Sequence, residues 1–407
     1  MRTERQVEVA VVGGGPAGAA VAIHLAGRGH EVAVFERWPE PRWRACGVYS
    51  SPRTRGRLTA LGLGDEVVRL LVRPVSAMTV ETARGAHCRL DYSADGGACG
   101  LDRVRLERAL LDRAAASGAV VREAAVVRTI EPNAGAAGGS LLAVSAAGRT
   151  ELWSARLVIG ADGPGSLVAR AFRVQRRTRR LRHAGLTLHR EDPEALPLAE
   201  PMTARMVIGP GWYCGIAPVP GERVNIGVVM GEATLRAALR RGTTPGGIVD
   251  GVVQQLPGPR RAWQDAPATD RVAVALPLAN RVVRPSGPGF LLVGDAAGFV
   301  DPLSGEGLHR ALVSADLAAE AASAWLRGIG PDAIDRYARH LRARFRDKDA
   351  VSWLLQAFVR WPSLLDYAVS RLGRREGACA TFARVMADLE HPRAALDPRF
   401  LVTLLRP

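Results

Sequence analysis

Three glycines near the start of the chain, spaced Gly13-x-Gly15-x-x-Gly18, stand where backbone N–H groups can meet a phosphate. The apolar run Val9–Val12 precedes them and the run Ala19–Leu25 follows, so the spacing lies between an expected buried strand and an expected helix. In that context Gly13 permits a tight turn, Gly15 admits a pyrophosphate to the backbone, and Gly18 lets the helix lie close on the strand. The helix N-terminus adds unpaired N–H groups and partial positive charge. A second expected strand, Glu31–Phe35, ends at Glu36, whose carboxylate suits a hydrogen bond from a ribose hydroxyl. These residues together predict a site for an ADP-containing cofactor.

Two further strand-to-glycine junctions occur. Leu157–Gly160 leads into Ala161-Asp162-Gly163, and Phe290–Val293 leads into Gly294-Asp295. Between Glu36 and Pro52 the prolines, aromatics and arginines mark an extended loop, and a loop that follows a cofactor strand often carries function. On it, Arg44 and Cys46 are the candidate catalytic residues. Arg44 would orient cofactor or substrate, and Cys46 would pack at the cofactor or donate a proton. Tyr49, on the same loop, and Trp212 and Tyr213, on a later expected strand, are candidate substrate contacts.

The elements that must position these residues follow from the pattern. Asp102 is the expected N-cap of a helix over Arg103–Ala114. Alternating residues over 73–92 predict antiparallel strands. Met202–Ile208, Tyr213–Val219 and Arg223–Val229 predict more of them, separated by Gly-Pro and Pro-Gly turns. Helices are expected over Thr234–Arg241, over Gly247–Leu256, and from about Ser304 to Trp325. Residues 331–407 are expected to be mostly helical, with Trp353, Phe358, Trp361 and Tyr367 in an amphipathic stretch that either covers the core or lies over an apolar ligand or a membrane surface. The fold class is therefore α/β: a Rossmann-like cofactor domain interleaved with an antiparallel substrate sheet, plus C-terminal helices. The expected boundaries give 1–72, 93–175 and 270–345 to the cofactor domain. They give 73–92 and 176–269 to the substrate domain, and 346–407 to the C-terminal helices.

Composition narrows the function classes. The 407 residues suffice for two or three cores. No apolar run is long enough to span a membrane, although surface association stays open. The N-terminus runs straight into the first strand, so a cytoplasmic protein without a signal peptide is expected. The five cysteines, Cys46, Cys88, Cys99, Cys214 and Cys379, include no C-x-x-C pair and no metal-ligand spacing, so free thiols and no metal are expected. The net charge is +15, almost all the cations are arginine, and Lys348 is the only lysine. A dispersed surplus of this kind favours anions at range, such as an anionic substrate or an acidic carrier protein, over nucleic acid. The basic run Arg173–Arg182 is expected to be a solvated face or linker. The sequence leaves the oligomeric state open.

In this order, Gly13–Gly18, Gly160–Gly163 and Gly294-Asp295 resemble the FAD signatures of the para-hydroxybenzoate hydroxylase fold, over roughly residues 7–325. The resemblance implies FAD as the cofactor, with Asp295 bonded to its ribityl chain. Arg103, with Leu106, Leu110 and Ala114, matches the family's R-x-x-L-x-x-x-L-x-x-x-A helix, which implies that Arg103 approaches the FAD phosphates or ribityl chain. The other cofactor contacts implied are Gly13, Gly15, Pro16, Ala17, Glu36, Arg37, Arg44, Ala45, Cys46, Gly47, Val127, Asp162, Gly163 and Gly294. Asp301-Pro302-Leu303-Ser304-Gly305-Glu306-Gly307 resembles the flavin loop of geranylgeranyl reductases, as does Cys46-Gly47, so Pro302, Gly305, Glu306, Gly307 and Leu308 are expected at the flavin.

That branch carries Tyr-x-Trp-x-Phe-Pro where this chain has Tyr213-Cys214-Gly215-Ile216-Ala217-Pro218, which implies a reshaped substrate pocket. The expected function is that of an FAD-dependent oxidoreductase acting on an apolar or aromatic small molecule, in the manner of specialised metabolism. The main alternative is an NAD(P)H-dependent flavin monooxygenase that hydroxylates. A flavin halogenase, which Gly211–Ile216 faintly resembles, and a non-redox flavin-binding cyclase or scaffold are weaker alternatives. No second Gly-x-Gly-x-x-Gly lies between strand and helix, so NAD(P)H would dock only transiently as reductant.

Overall fold

The all-apolar run Val9–Val12 needs burial on both faces, and it obtains it at the centre of a largely parallel sheet. The computed structural model describes residues 4–46, 48–135, 139–176 and 182–406. In the sheet, Glu4–Val12 lies between Arg149–Gly160 and Val32–Phe35, with Phe290–Leu292 and Val120–Arg122 beyond them, all parallel. Val9 and Val11 point to one layer, which contains the helices Pro16–Ala26, Arg103–Ala116 and Gly307–Leu326. Ala10 and Val12 point to the other layer, closed by the antiparallel ribbon of Ala125–Glu131 and Ser140–Ala146.

The register of this sheet positions the cofactor motifs. Val12 lies beside Gly160, and Gly160 beside Leu292. The three strands therefore end in one row, and each runs into its glycine turn at the same sheet edge. Val12 also lies beside Phe35, which brings Glu36 next to Gly13. Motifs far apart in the sequence thus converge at the carboxyl ends of parallel strands, where open α/β sheets bind ligands.

The second sheet is mixed, in the order Ala273–Ala275, His183–Glu191, Arg223–Gly231, Trp212–Val219, Met202–Gly209, Val72–Thr82, Ala98–Leu101, Tyr49–Ser50. Met202–Gly209 and Val72–Thr82 pair in parallel; the other pairs are antiparallel. The expected boundaries placed 98–101 and 273–275 with the cofactor strands, whereas hydrogen bonding places both in this sheet. The expected strands omit His183–Glu191, although Leu186-Thr187-Leu188-His189 alternates: Ala184, Leu186 and Leu188 join one core cluster, and Gly185 and Thr187 line a cavity on the other face. Trp212, Cys214 and Val228 pack one face of the sheet against the helices Glu232–Arg240 and Pro245–Val253. Tyr213 and Val229 lie on the other face, where the C-terminal helices Ala333–Arg360, Pro362–Arg374, Glu376–Met386 and Pro398–Leu405 cover it. Of the basic run, 177–181 lies outside the described residues.

Candidate active site

At the phosphate end each glycine has its own reason. Gly13 has φ +104°, and a Cβ there would sit 2.5 Å from the Ala161 carbonyl oxygen. A Cβ on Gly18 would sit 1.9 Å from the Gly13 oxygen. At Gly15, the N-cap, a Cβ would meet nothing within 4 Å. Only this last glycine faces open space, as an approaching pyrophosphate requires. Pro16 and Ala17 open the helix behind it. Glu36 is buried; its Oε2 accepts from Gly14 N–H at 2.8 Å and its Oε1 from Trp38 N–H at 3.1 Å. The carboxylate therefore braces the glycine turn and retains lone pairs for a ribose. Arg37 is exposed beside Trp38. Val127 is buried on the ribbon behind this strand, in the cluster that holds Phe35.

Asp162 is held by the next turn. Its Oδ2 accepts from Leu167 N–H at 2.6 Å at the start of the helix Leu167–Ala171, while its buried Oδ1 has no hydrogen-bond partner among the described residues. Burial raises the Asp162 pKa. A buried acceptor without a donor costs about 1–3 kcal/mol, so this atom fits a ligand hydroxyl or bound water. Gly163, at φ +78°, faces open space. At the third turn, Gly294 N–H donates to Ser314 Oγ at 2.8 Å, and Asn280 Nδ2 donates to the Asp295 carbonyl at 2.9 Å. Burial raises the Asp295 pKa, against the opposing fields of Arg103 and Arg310.

The loop residues meet Arg103. Burial works against its charge, but Cys46, Glu107 and Asp295 outweigh that and raise its pKa. Arg103 Nε donates to Glu107 Oε1 at 2.9 Å, and Arg103 Nη1 contacts Cys46 Sγ at 3.2 Å. Arg44 Nη2 donates to Glu107 Oε2 at 3.0 Å. Sequence reasoning passed over Glu107; its place one turn after Arg103 on the same helix face was the available signal. Ala45 and Cys46 line a cavity, and Cys46 N–H donates to Thr187 Oγ1 at 3.3 Å. Gly47 lies outside the described residues.

Pro302 and Gly305 lie on the cavity wall. Asp301 Oδ1 accepts from Leu303 N–H and shapes a short helical turn that ends at Gly305, φ +68°. The long helix therefore begins at Gly307, not at Ser304. Tyr49 packs directly on Gly305, where a Cβ would sit 2.6 Å from its ring. Gly307 opens the helix onto free space, and Leu308 is buried behind it. Glu306 turns away from the cavity to contact Lys348 Nζ, which also pairs with Asp388 at 3.0 Å. All three are buried, and burial lowers the Lys348 pKa against the opposing effect of Asp388.

The cavity holds about 180 Å³. Met78, Leu90, Ile208, Leu354, Phe358 and Leu372 form its apolar wall. Tyr213 lies on this wall; its hydroxyl donates to Asp301 Oδ1 at 2.6 Å, and Asp301 Oδ2 meets His183 Nδ1 at 3.1 Å. Burial, then Asp301, raises the Tyr213 pKa well above the ordinary value, so the phenol stays protonated at neutral pH. Trp212, expected beside it, points to the opposite face of the sheet and packs with Val228 and Leu235. Successive residues of a strand face opposite sides, so Tyr213 and Trp212 cannot share one pocket.

Three glycine turns at one sheet edge, two of them open to a ligand, and a half-buried arginine between acid and thiol define a dinucleotide-binding flavoprotein. The chain matches the FAD binding domain family over residues 6–348 and belongs to it. It is an FAD-dependent oxidoreductase, and the open glycine turns with Glu36, Asp162 and Arg103 fit the extended cofactor, whereas Val127 and Glu306 are engaged elsewhere. Similar curated proteins include the menaquinone reductase of Mycobacterium tuberculosis, 28% identical over 83% of this chain and 82% of that one. Another is the digeranylgeranylglycerophospholipid reductase of Haloferax volcanii, 27% identical over 77% of this chain and 75% of that one. The fold is shared with a geranylgeranyl bacteriochlorophyll reductase-like protein of Thermoplasma acidophilum, with TM-score 0.77 and 20% identity over 98% of this chain and 100% of that one.

Proposed function

We propose that the enzyme reduces a carbon–carbon double bond in an elongated apolar molecule. The single observation that carries this reading is the cavity wall. Its one cation among the described lining residues, Arg205, is already bound to Glu81 Oε1 and Oε2 at 2.8 Å each and to the Pro257 carbonyl. No free cation is left there to hold an anionic aromatic substrate, and an apolar chain needs none, because burial itself retains it. Bound FAD supplies two-electron transfer, with transient NAD(P)H or a partner reductase as donor. Tyr213, Asp301 and the partly exposed His183 form a polar line from solvent to the cavity wall, along which the proton of the reduction can be supplied. The names of the menaquinone and digeranylgeranylglycerophospholipid reductases support this substrate class.

The test is anaerobic incubation of the FAD-loaded enzyme with NAD(P)H or dithionite and geranylgeraniol. A product heavier by two hydrogens, formed without oxygen, is expected. Turnover only with dioxygen, giving a product heavier by one oxygen atom, would instead establish a hydroxylase.

A further inference from the structure

The helices that close the cavity also carry exposed aromatic surface. Among the large exposed hydrophobics of the described chain, the aromatic ones are Trp353, 41% exposed, and Trp361, 58% exposed. Trp353 lies on Ala333–Arg360. Trp361 sits at the corner between that helix and Pro362–Arg374, where Arg360 to Leu364 is exposed without interruption. Val402 is exposed on the last helix.

The inner sides of the same turns line the cavity: Leu354, Phe358 and Val359 before the corner, Leu365 after it, and Leu401 and Leu404 on either side of Val402. Outer patch and inner wall are thus two faces of one thin layer of helix. The charges around the patch are mainly positive. Arg360, Arg374, Arg399 and Arg406 are exposed, and Arg84 reaches the corner from the sheet, donating to Ser363 Oγ at 3.0 Å. Acids nearby include Asp349, one turn before Trp353 and paired with Arg310; Asp366, paired with Arg84; Asp397, which caps the last helix; and Glu376.

Tryptophan, with an apolar body and one N–H, is suited to the boundary between acyl chains and headgroups. Each arginine held near an anionic leaflet strengthens attachment by about fivefold. Among the described residues no helix is long and apolar enough to cross a membrane, so this chemistry supports a surface contact and not a span.

We propose that the Arg360–Leu364 corner, with Trp353 and Val402, is a docking face for an anionic bilayer surface. It sets the cavity against the leaflet, so that an apolar substrate passes from lipid to protein without entering water. The delivery role rests on the reductase reading; the docking face does not.

The experiment is sedimentation of the FAD-loaded full chain with vesicles of phosphatidylcholine, or of phosphatidylcholine mixed with phosphatidylglycerol. Binding to the mixed vesicles is expected, with more than about tenfold weaker binding to the neutral ones and in high salt. Trp361→Ser combined with Leu364→Ser is expected to weaken binding to mixed vesicles by about tenfold, with FAD content and thermal midpoint unchanged. No binding of the native chain to mixed vesicles would overturn the proposal, as would full binding by the double variant. Concentration-dependent self-association that vanishes in the double variant, without vesicle binding, would assign the face to a second copy and also overturn it. No substrate is present, so this result stands apart from any failure of the reductase assay.

Discussion

Gly15 and Gly18 are alike in the sequence and opposite in the structure. A methyl on Gly18 would meet the Gly13 carbonyl at 1.9 Å, so the helix would have to leave the strand. Gly18→Ala is expected to cost about 3 kcal/mol or more by overpacking and to be seen as a lower thermal midpoint of the apoprotein. A methyl on Gly15 meets no protein atom within 4 Å. Gly15→Ala is therefore expected to leave the apoprotein midpoint unchanged and to weaken FAD by about tenfold in a fluorescence titration, about 1.4 kcal/mol of lost approach. Equal effects of the two changes would contradict the assignment of roles. Tyr213→Phe tests the polar end of the cavity. It removes one hydrogen bond to Asp301, worth about 1 kcal/mol of stability. With FAD content unchanged, turnover is expected to fall about a hundredfold if the phenol handles a proton. At this scale the cofactor glycines were legible because their spacing falls within one contiguous strand, turn and helix. Ser314 was not, since its partner Gly294 is fixed only by tertiary packing, whereas Glu107 has a local partner in Arg103, one turn before it on the same helix.

Single elements are held in place by buried charge. Glu306 begins the helix that opens at the candidate flavin position, and it is tied through Lys348 to Asp388, beyond the end of Glu376–Met386. Lys348→Met would strand two buried carboxylates, at a cost of about 3–5 kcal/mol. Adding Asp388→Asn or Glu306→Gln should recover part of that loss in urea denaturation, and no recovery would show that the three side chains do not act together. His309, one turn along the helix, is pushed down to about 4 by burial, with Arg57, Arg344 and Arg53 acting in the same direction and Asp388 against it. A histidine depressed in the fold binds its proton first in the unfolded chain. The stability it contributes is therefore complete above the ordinary value of 6.5 and declines as pH falls toward about 4, by up to about 1.4 kcal/mol per unit. His309→Gln should flatten the stability profile over this window, measured from urea midpoints against the native chain. The sequence suggested most helices and the cofactor strands through periodicity. It missed His183–Glu191, which carries both His183 and Thr187, because the alternation over Leu186-Thr187-Leu188-His189 is short and runs straight into the charged Arg190 and Glu191.

Across the whole molecule, the cofactor half was readable and the substrate half was not, for a physical reason. Each cofactor motif is a contiguous strand and turn, and parallel register does the rest. The cavity is assembled from the loop after Glu36, the second sheet, the Pro302–Gly305 turn and five C-terminal helices, none of which declares a pocket alone. Two residues in it were nonetheless informative. Gly215 and Ala217 stand where the resembling motif has bulky aromatics, and both line the cavity beside Tyr213. A Cβ on Gly215 would touch only the tip of Met206, at 3.4 Å, so the site has room for a side chain directed into the void. In a cavity of about 180 Å³, one indole would occupy most of the space that an apolar chain needs. Gly215→Trp should therefore fold and retain FAD while losing about tenfold in affinity for retinol, read from the rise in retinol fluorescence on burial, because displacing a few buried methylenes costs well over 1 kcal/mol. Undiminished retinol binding with FAD bound would place the apolar site elsewhere and remove the observation on which the substrate class rests.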